Sequence, residues 1–329
     1  MPFPTVSILV AARNEEKNIL RTLQSLQQLT YPKEKLQILI GDDDSTDQTA
    51  AIVKEFIKAK PHFQLVTIRG GQRVLRGKAN VLAQLAHLAT GDYYFYTDAD
   101  IQVPTHWVQR MLTYFKPNVG VVTGITTIRP QNLFAILQAI EWLTSLFMVY
   151  LFSKIRFPIT AMGNNMAVTK EAYWETGGYE QIGFSITEDL ALFKAILAAD
   201  YEFAQTFEKG VMAISAPIPN FTELLIQRKR WMHGALASPW YLKILLFGQA
   251  FFLPMLALLY MVNPTWGSAY VLFFLAVQGI ITLPAVLSVQ QWGLVLFLPL
   301  FYGYIPFLYL AMVLNYYFSA ATHWKGRTY

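Results

Sequence analysis

From residue 244 to residue 324 the chain carries no Asp, Glu, Lys or Arg. A tract that long cannot coat a water-soluble domain, whose surface positions need charge. It divides into three apolar stretches, 244–262, 268–289 and 293–318, broken at Asn263-Pro264 and Gln290-Gln291-Trp292-Gly293. A helix crosses a bilayer in about 20 residues, so three spans fit. Residues 1–243 are ordinarily charged, whereas 244–329 hold only Lys325 and Arg327. Composition therefore sets a boundary near Lys243, with a water-soluble unit before it and a transmembrane helical region after it.

Topology is under tension. His323, Lys325 and Arg327 favour the cytoplasm, but a cytoplasmic first unit followed by three spans puts them outside. Either one stretch is re-entrant, with Pro254, Pro284, Pro299 and Pro306 as candidate bends, or the tail charge is overridden. The opening residues run straight into Val6-Ser7-Ile8-Leu9-Val10, too short for a signal peptide. The expectation is a first unit kept in the cytoplasm. The net charge of +5 suits weak attraction to anionic lipid head groups. No basic cluster is interleaved with base-stacking aromatics, so nucleic acid is not an expected partner. Without cysteine, disulfides and thiolate metal sites are excluded.

In the first unit, 6–11, 36–40, 63–68 and 93–97 read as short buried strands. Asn14-Glu15-Glu16 opens an amphipathic helix through Ile19, Leu23 and Leu26, 46–59 is a second helix, and 79–89 a third closed by Gly91. Alternating strands and helices predict an α/β fold with a mostly parallel, Rossmann-like sheet. Ligands bind such sheets beyond the carboxyl ends of the strands. The segments 11–15, 42–45 and 98–100 all lie at such ends, so three loops converge on one edge. Residues 130–152 form a mostly apolar helix with Glu141 its only charge. It reads either as an interfacial, acceptor-facing helix or as an ordinary core helix. The segment 219–243 is a second interfacial candidate.

Asp98 and Asp100 flank a small residue at a strand end. That spacing can hold a hard divalent ion and leave positions for a diphosphate, whose developing charge the ion neutralises. Asp42, Asp43 and Asp44 cannot all be buried as neighbouring anions. One reading makes Asp44 or Ser45 a helix cap; the other makes Asp42 or Asp43 a ligand contact. Thr187-Glu188-Asp189 is either an N-cap with a dipole-favoured acidic turn or a source of general base. Gln227, Arg230 and Trp231 share one helical face, where a guanidinium can grip diphosphate and an indole can stack on a sugar. The other reading is a cationic, aromatic anchor, which Trp240 and Lys243 fit better. Gly77-Lys78 ahead of a helix could meet phosphate. Gly163-Asn164-Asn165 and Gly177-Gly178 read as turns, the second letting the chain pass close to substrate.

The ordered set Ala12-Arg13-Asn14-Glu15, Asp42-Asp43-Asp44-Ser45-Thr46-Asp47, Gly77-Lys78-Ala79-Asn80, Asp98-Ala99-Asp100, Gly177-Gly178-Tyr179, Thr187-Glu188-Asp189 and Gln227-Arg228-Lys229-Arg230-Trp231 resembles family 2 glycosyltransferases. The apolar tail is similar to that of ceramide glucosyltransferase-like and cellulose synthase-like members and of bacterial lipid glycosyltransferases. The resemblance implies a GT-A fold, a nucleotide-sugar donor (UDP over GDP), Mg²⁺ or Mn²⁺, and a lipid or glycan acceptor. It implies a multi-pass protein of the bacterial inner membrane. By the same resemblance Ala12, Arg13, Asn14 and Glu15 line the nucleotide pocket and Asp43 or Asp42 binds the base. Lys78 joins the donor site, Asp98 and Asp100 hold metal and diphosphate, Asp189 is the base, and Gln227, Arg230 and Trp231 clamp acceptor and diphosphate. The family usually has Gly where Asp44 stands, a departure that bears on the turn. The implied reaction is a single inverting displacement. A processive polysaccharide synthase is the alternative within the class, for which a partner chain could supply a channel. A silent nucleotide-sugar-binding scaffold and a transporter are the alternatives outside it.

Overall fold

The computed structural model describes residues 3–68, 70, 75–185, 187–236, 240–319, 323, 324, 327 and 328. The chain forms two compact units, one of residues 1–126 and 152–216, the other of 127–151 and 217–329. The end of charge at Lys243 is therefore not the boundary between units, because 127–151 and 217–243 pack with the apolar helices.

The first unit is built on strands β1 (Val6–Ala12), β2 (Leu36–Asp42), β3 (Phe63–Thr67), β4 (Tyr93–Asp98), β5 (Ile101–Gln102), β6 (Val119–Thr123), β7 (Thr126–Ile128, at the exit to the second unit), β8 (Asn165–Thr169), β9 (Glu202–Gln205) and β10 (Ala213–Ser215). The main sheet runs β3-β2-β1-β4-β8-β6-β9, and only β8 is antiparallel to its neighbours. The mostly parallel sheet expected from the alternation is the one found. Its helices are α1 (Ile19–Gln27), α2 (Thr49–Ile57), α3 (Gly77–Leu88), α4 (Trp107–Leu112), α6 (Lys170–Glu175), α7 (Gly178–Ile182) and α8 (Glu188–Ala198), with α5 (Leu133–Lys154) mostly in the second unit. Ile8, Leu9, Ile38 and Leu39 are fully buried, each such side chain contributing about 1.5–3 kcal/mol. The glycine at 41 lets α3 close on the sheet: a Cβ there would lie 2.4 Å from Val81 Cγ1.

Three local expectations are corrected. The helix expected from Asn14 begins at Ile19, because Asn14 turns left-handed (φ 53°) and its side chain accepts from Thr46 N–H at 2.9 Å. The helix expected from residue 46 begins at Thr49. Its first turn is held by Asp47, which accepts from Thr49 N–H at 2.9 Å, and Ser45 Oγ accepts instead from Asn14 N–H at 3.1 Å. Neither Ser45 nor Asp44 is the cap. The third helix ends at Leu88 and is not closed by Gly91. Gly91 passes so close to β1 that a Cβ would stand 2.5 Å from Ser7 N.

The second unit contains α5, α9 (Phe221–Leu236), α10 (Trp240–Ala250), α11 (Phe252–Val262), α12 (Pro264–Ser288) and α13 (Leu298–Phe318). Among the described residues three helical segments are long and apolar enough to cross a membrane: Leu133–Lys154, Pro264–Ser288 and Trp292–Phe318. The expected stretch 244–262 is instead a pair of helices bent by 54°. Pro254 explains the break. It has no N–H for the Ala250 carbonyl, and its ring crowds that carbonyl, so the helix restarts at Phe252. Pro284 and Pro306 lie inside α12 and α13 without ending them, and Pro299 sits in the first turn of α13. The polar side chains of α5 are met by the segment entering α9. Gln138 exchanges two hydrogen bonds with the Ile218 backbone at 3.0 and 3.1 Å, and Glu141 pairs with Arg228. The end of α13 is tied to α9 by Lys229 Nζ, which donates to Ser319 O and Oγ at 3.0 and 2.7 Å. Of the basic tail residues His323, Lys325 and Arg327, Lys325 lies outside the described residues.

Candidate active site

Parallel pairing brings three strand ends side by side. Ala12 is opposite Asp42, and Ala11 is opposite Asp98. The loops after β1 and β2 are laced together. Arg13 donates to the Asp43 carbonyl at 2.6 Å, Asp43 N–H donates to Ala12 O at 2.9 Å, and Glu15 N–H donates to Thr49 Oγ1 at 2.7 Å. Asp44 takes φ 58°, a conformation glycine enters freely and Asp tolerates, so the departure from Gly keeps the turn. Asp42 is buried, and its Oδ1 has no hydrogen-bond partner among the described residues. A buried carboxylate oxygen left so costs about 1–3 kcal/mol or more, and a ligand N–H would remove that cost.

Beyond β4, Asp98 and Asp100 flank the buried Ala99. Lys78, in the first turn of α3, reaches Asp98 Oδ1 at 2.6 Å and Glu188 Oε1 at 3.0 Å. Burial works to lower the Lys78 pKa, but Asp98, Glu188 and Asp189 overcome it and raise it, so this lysine is a fixed cation. Ser215 Oγ donates to Asp100 Oδ2 at 3.5 Å. Among the described residues no three acidic, His or Cys side chains gather as a metal cage. Two carboxylates fit a hard divalent ion that keeps its other positions for water and diphosphate oxygens.

Asp189 lies in the first turn of α8, next to Glu188. The acidic pair does occupy the dipole-favoured first turn, but Thr187 makes no side-chain cap, so only that part of the capping reading is found. The Asp189 carboxylate is gripped by two backbone donors, Gly163 N–H to Oδ2 at 2.7 Å and Leu190 N–H to Oδ1 at 2.8 Å. Burial, then the Glu188 charge, lift its pKa to about 6, against the opposing pull of Lys78 and the two N–H groups. A carboxylate that titrates near neutral pH can exist as the free base and still hold a proton well. A reaction that uses it as a base should fall about tenfold for each pH unit below about 6, because only the deprotonated form accepts a proton. A kcat profile between pH 4.5 and 8 checks this, and a flat acid limb would contradict it.

Gly163 is the residue sequence reasoning missed. It was legible only as a turn, yet a Cβ there would lie 2.7 Å from Asp189 Cβ and 2.9 Å from Oδ2. The turn is anchored by fully buried Asn165, which accepts from Trp107 Nε1 at 2.9 Å and donates to the Ile125 and Val211 carbonyls at 2.7 and 2.8 Å. Glu188 was also missed as the second partner of Lys78. Gly177 and Gly178 do take left-handed φ of 74° and 64°, but the close pass is to Tyr173, whose hydroxyl oxygen would lie 2.9 Å from a Cβ at Gly178.

In the second unit Gln227, Arg230 and Trp231 lie on α9 as the spacing predicts. The structure adds Arg228, which sequence reasoning left unassigned. Its side chain is 1% exposed, forms two hydrogen bonds to Glu141, and lies 4.2 Å from the Trp231 ring. Trp142 meets Trp231 edge-on at 5.3 Å. His233 is exposed and packs on Tyr316.

Over 246 residues the chain is 31% identical to beta-monoglucosyldiacylglycerol synthase of Synechocystis sp., covering 71% of this chain and 48% of that protein. Over 232 residues it is 29% identical to poly-beta-1,6-N-acetyl-D-glucosamine synthase of Staphylococcus epidermidis, covering 70% and 54%. The chain spans about half the length of these curated relatives. Among solved structures, the mannosyltransferase PcManGT from Pyrobaculum calidifontis, in complex with GDP-Man and Mn²⁺, superposes with a TM-score of 0.58 at 20% identity. That match covers 97% of this chain and 88% of the other, and it shows the GT-A fold. The family model described as Glycosyl transferase family 21 matches residues 1–329. The glycosyltransferase class implied by the resemblance is borne out, under family 21 where family 2 was named: the chain belongs to glycosyl transferase family 21.

Proposed function

We propose that this chain is an inverting hexosyltransferase that moves a sugar from a nucleotide-sugar, a UDP-sugar by the resemblance of its motifs, to a hydroxyl of a lipid or membrane-associated glycan. The observation that carries the reading is the Asp189 carboxylate, held by two backbone N–H groups with its pKa near 6, in one cluster with Glu188, Lys78 and Asp98. Asp189 takes the acceptor proton as the hydroxyl oxygen attacks the anomeric carbon. The bond to the diphosphate oxygen breaks on the opposite face, so an α-linked donor gives a β-glycoside. Asp42, through its unpartnered oxygen, takes an N–H of the nucleobase beside Arg13, Asn14, Glu15 and Asp43. Lys78 meets the diphosphate. Asp98 and Asp100 hold Mg²⁺ or Mn²⁺, which supplies charge neutralisation at the leaving phosphate. Gln227, Arg230 and Trp231 serve acceptor and diphosphate.

A membrane acceptor is supported by the apolar helices of the second unit and by the lipid product named for the Synechocystis relative. The proposed setting is a multi-pass membrane protein with its catalytic unit in the cytoplasm. The polymer named for the Staphylococcus relative supports the processive synthase as a second reading. Purified full chain in nanodiscs, offered UDP- and GDP-sugars with membrane lipid extract, should release nucleotide from one donor class. EDTA should abolish release and Mn²⁺ or Mg²⁺ should restore it. Release that is indifferent to EDTA would contradict the role given to Asp98 and Asp100.

A further inference from the structure

The Glu141–Arg228 pair lies outside the chemistry assigned above. Glu141 is the one charge among the apolar residues of 130–152, and Arg228 is one of three consecutive cations. Both are buried, and the guanidinium uses all its sides. Its Nε and Nη2 donate to Glu141 Oε1 and Oε2 at 2.9 and 2.8 Å, its Nη1 donates to Gln227 Oε1, and its face lies on Trp231. Stability alone is a poor reason to keep such a pair, since apolar residues of similar volume often serve as well.

The contact with Gln227 has a chemical consequence. A guanidinium only donates hydrogen bonds, so the amide oxygen of Gln227 must be the atom facing it. The amide nitrogen, with two donors, is thereby turned away from Arg228. The same guanidinium fixes one face of the Trp231 indole, while Trp142 meets that indole edge-on. One buried cation thus sets the orientation of two side chains on α9.

We propose that Glu141 and Arg228 are a positioning pair: Glu141 orients the guanidinium, which holds Trp231 and turns the Gln227 amide donors toward a ligand oxygen. Arg228 itself touches no substrate. The proposal deepens the function given above and rests on its assignment of Gln227 and Trp231. The nature of that oxygen, phosphate or hydroxyl, is set by the ligand and not by the pair.

The test uses the full chain in nanodiscs, with the double variant Glu141→Leu/Arg228→Met, the single variant Gln227→Ala, and their combination. Replacing both partners avoids stranding one buried charge, so the double variant should fold. Protein labelled with 5-fluorotryptophan gives a ¹⁹F line for Trp231, assigned by its loss in Trp231→Phe. That line should shift in the double variant, and kcat at saturating donor should fall about 10²-fold. Adding Gln227→Ala to the double variant should then cost nothing further, because the two changes act through one amide. An unshifted Trp231 line, a wild-type kcat, or fully additive losses would each overturn the proposal. Wild-type protein that transfers no sugar to any acceptor would instead overturn the function assigned above, while the Trp231 line still decides the pairing. A double variant that fails to fold is replaced by Arg228→Lys, which keeps the charge opposite Glu141 and should show the same line shift and kcat loss.

Discussion

Replacing Asp189 by Asn is expected to lower sugar transfer by about 10²–10⁴-fold, the usual worth of a positioned general base, with donor affinity largely retained. Asn has nearly the same size and keeps one oxygen for either Gly163 N–H or Leu190 N–H, which now donate to separate oxygens at 2.7 and 2.8 Å. The other N–H then faces an amide nitrogen, a local loss of about 1 kcal/mol that a folded domain tolerates. The amide cannot accept the acceptor proton. The acid limb of the pH profile should vanish with the carboxylate that causes it. Calorimetric titration with nucleotide and a transfer assay on the same preparation separate binding from chemistry. Transfer by Asp189→Asn at the wild-type rate would remove this residue from the base role.

The second large effect is expected at a residue with no functional group. Gly163→Ala places a Cβ 2.7 Å from Asp189 Cβ, closer than real side chains approach. Either the turn or the first turn of α8 must yield, and the turn is anchored through Asn165. Asp189 is therefore displaced, and a shift of about 1 Å at a reacting group costs about 10²-fold in rate. The accompanying strain is about 1–3 kcal/mol, which thermal unfolding should register as a modest decrease. Both substitutions act through one carboxylate, so Gly163→Ala added to Asp189→Asn should lower the rate little further. Wild-type kcat in Gly163→Ala would show that Asp189 is not held where its hydrogen bonds place it.

The sheet was legible because its strands are short, mostly apolar and separated by helical segments, and buried parallel strands leave that trace. The convergence of the loops after β1, β2 and β4 followed from topology alone, and the register of Ala12 with Asp42 and Ala11 with Asp98 bears it out. Helix starts were less legible. Residues 42–47 contain Asp, Ser and Thr at every position, so many could cap, and the choice of Asp47 depends on how Asn14 and Ser45 lace two loops together. Gly163 could not be recognised as part of the site, because its reason for being glycine is a side chain 26 residues away. Arg228 stands among Arg and Lys neighbours, and only the position of Glu141 on another helix selects it for burial. The apolar tract was plain as composition, but the bend at Phe251 depended on which of its prolines would end a helix: Pro254 does, whereas Pro284 and Pro306 do not.

The most direct test of the account follows where the sugar goes. The full chain in nanodiscs is given labelled UDP- and GDP-sugars, divalent metal and a membrane lipid extract, and the label is partitioned between organic and aqueous phases. Label is expected in the organic phase, on a β-linked glycoside, formed only with metal present and only by protein that retains Asp189. Label confined to a long water-soluble polymer would give the chain to the processive reading. Donor that binds while no label moves to any acceptor would contradict the assignment of transfer to this chain.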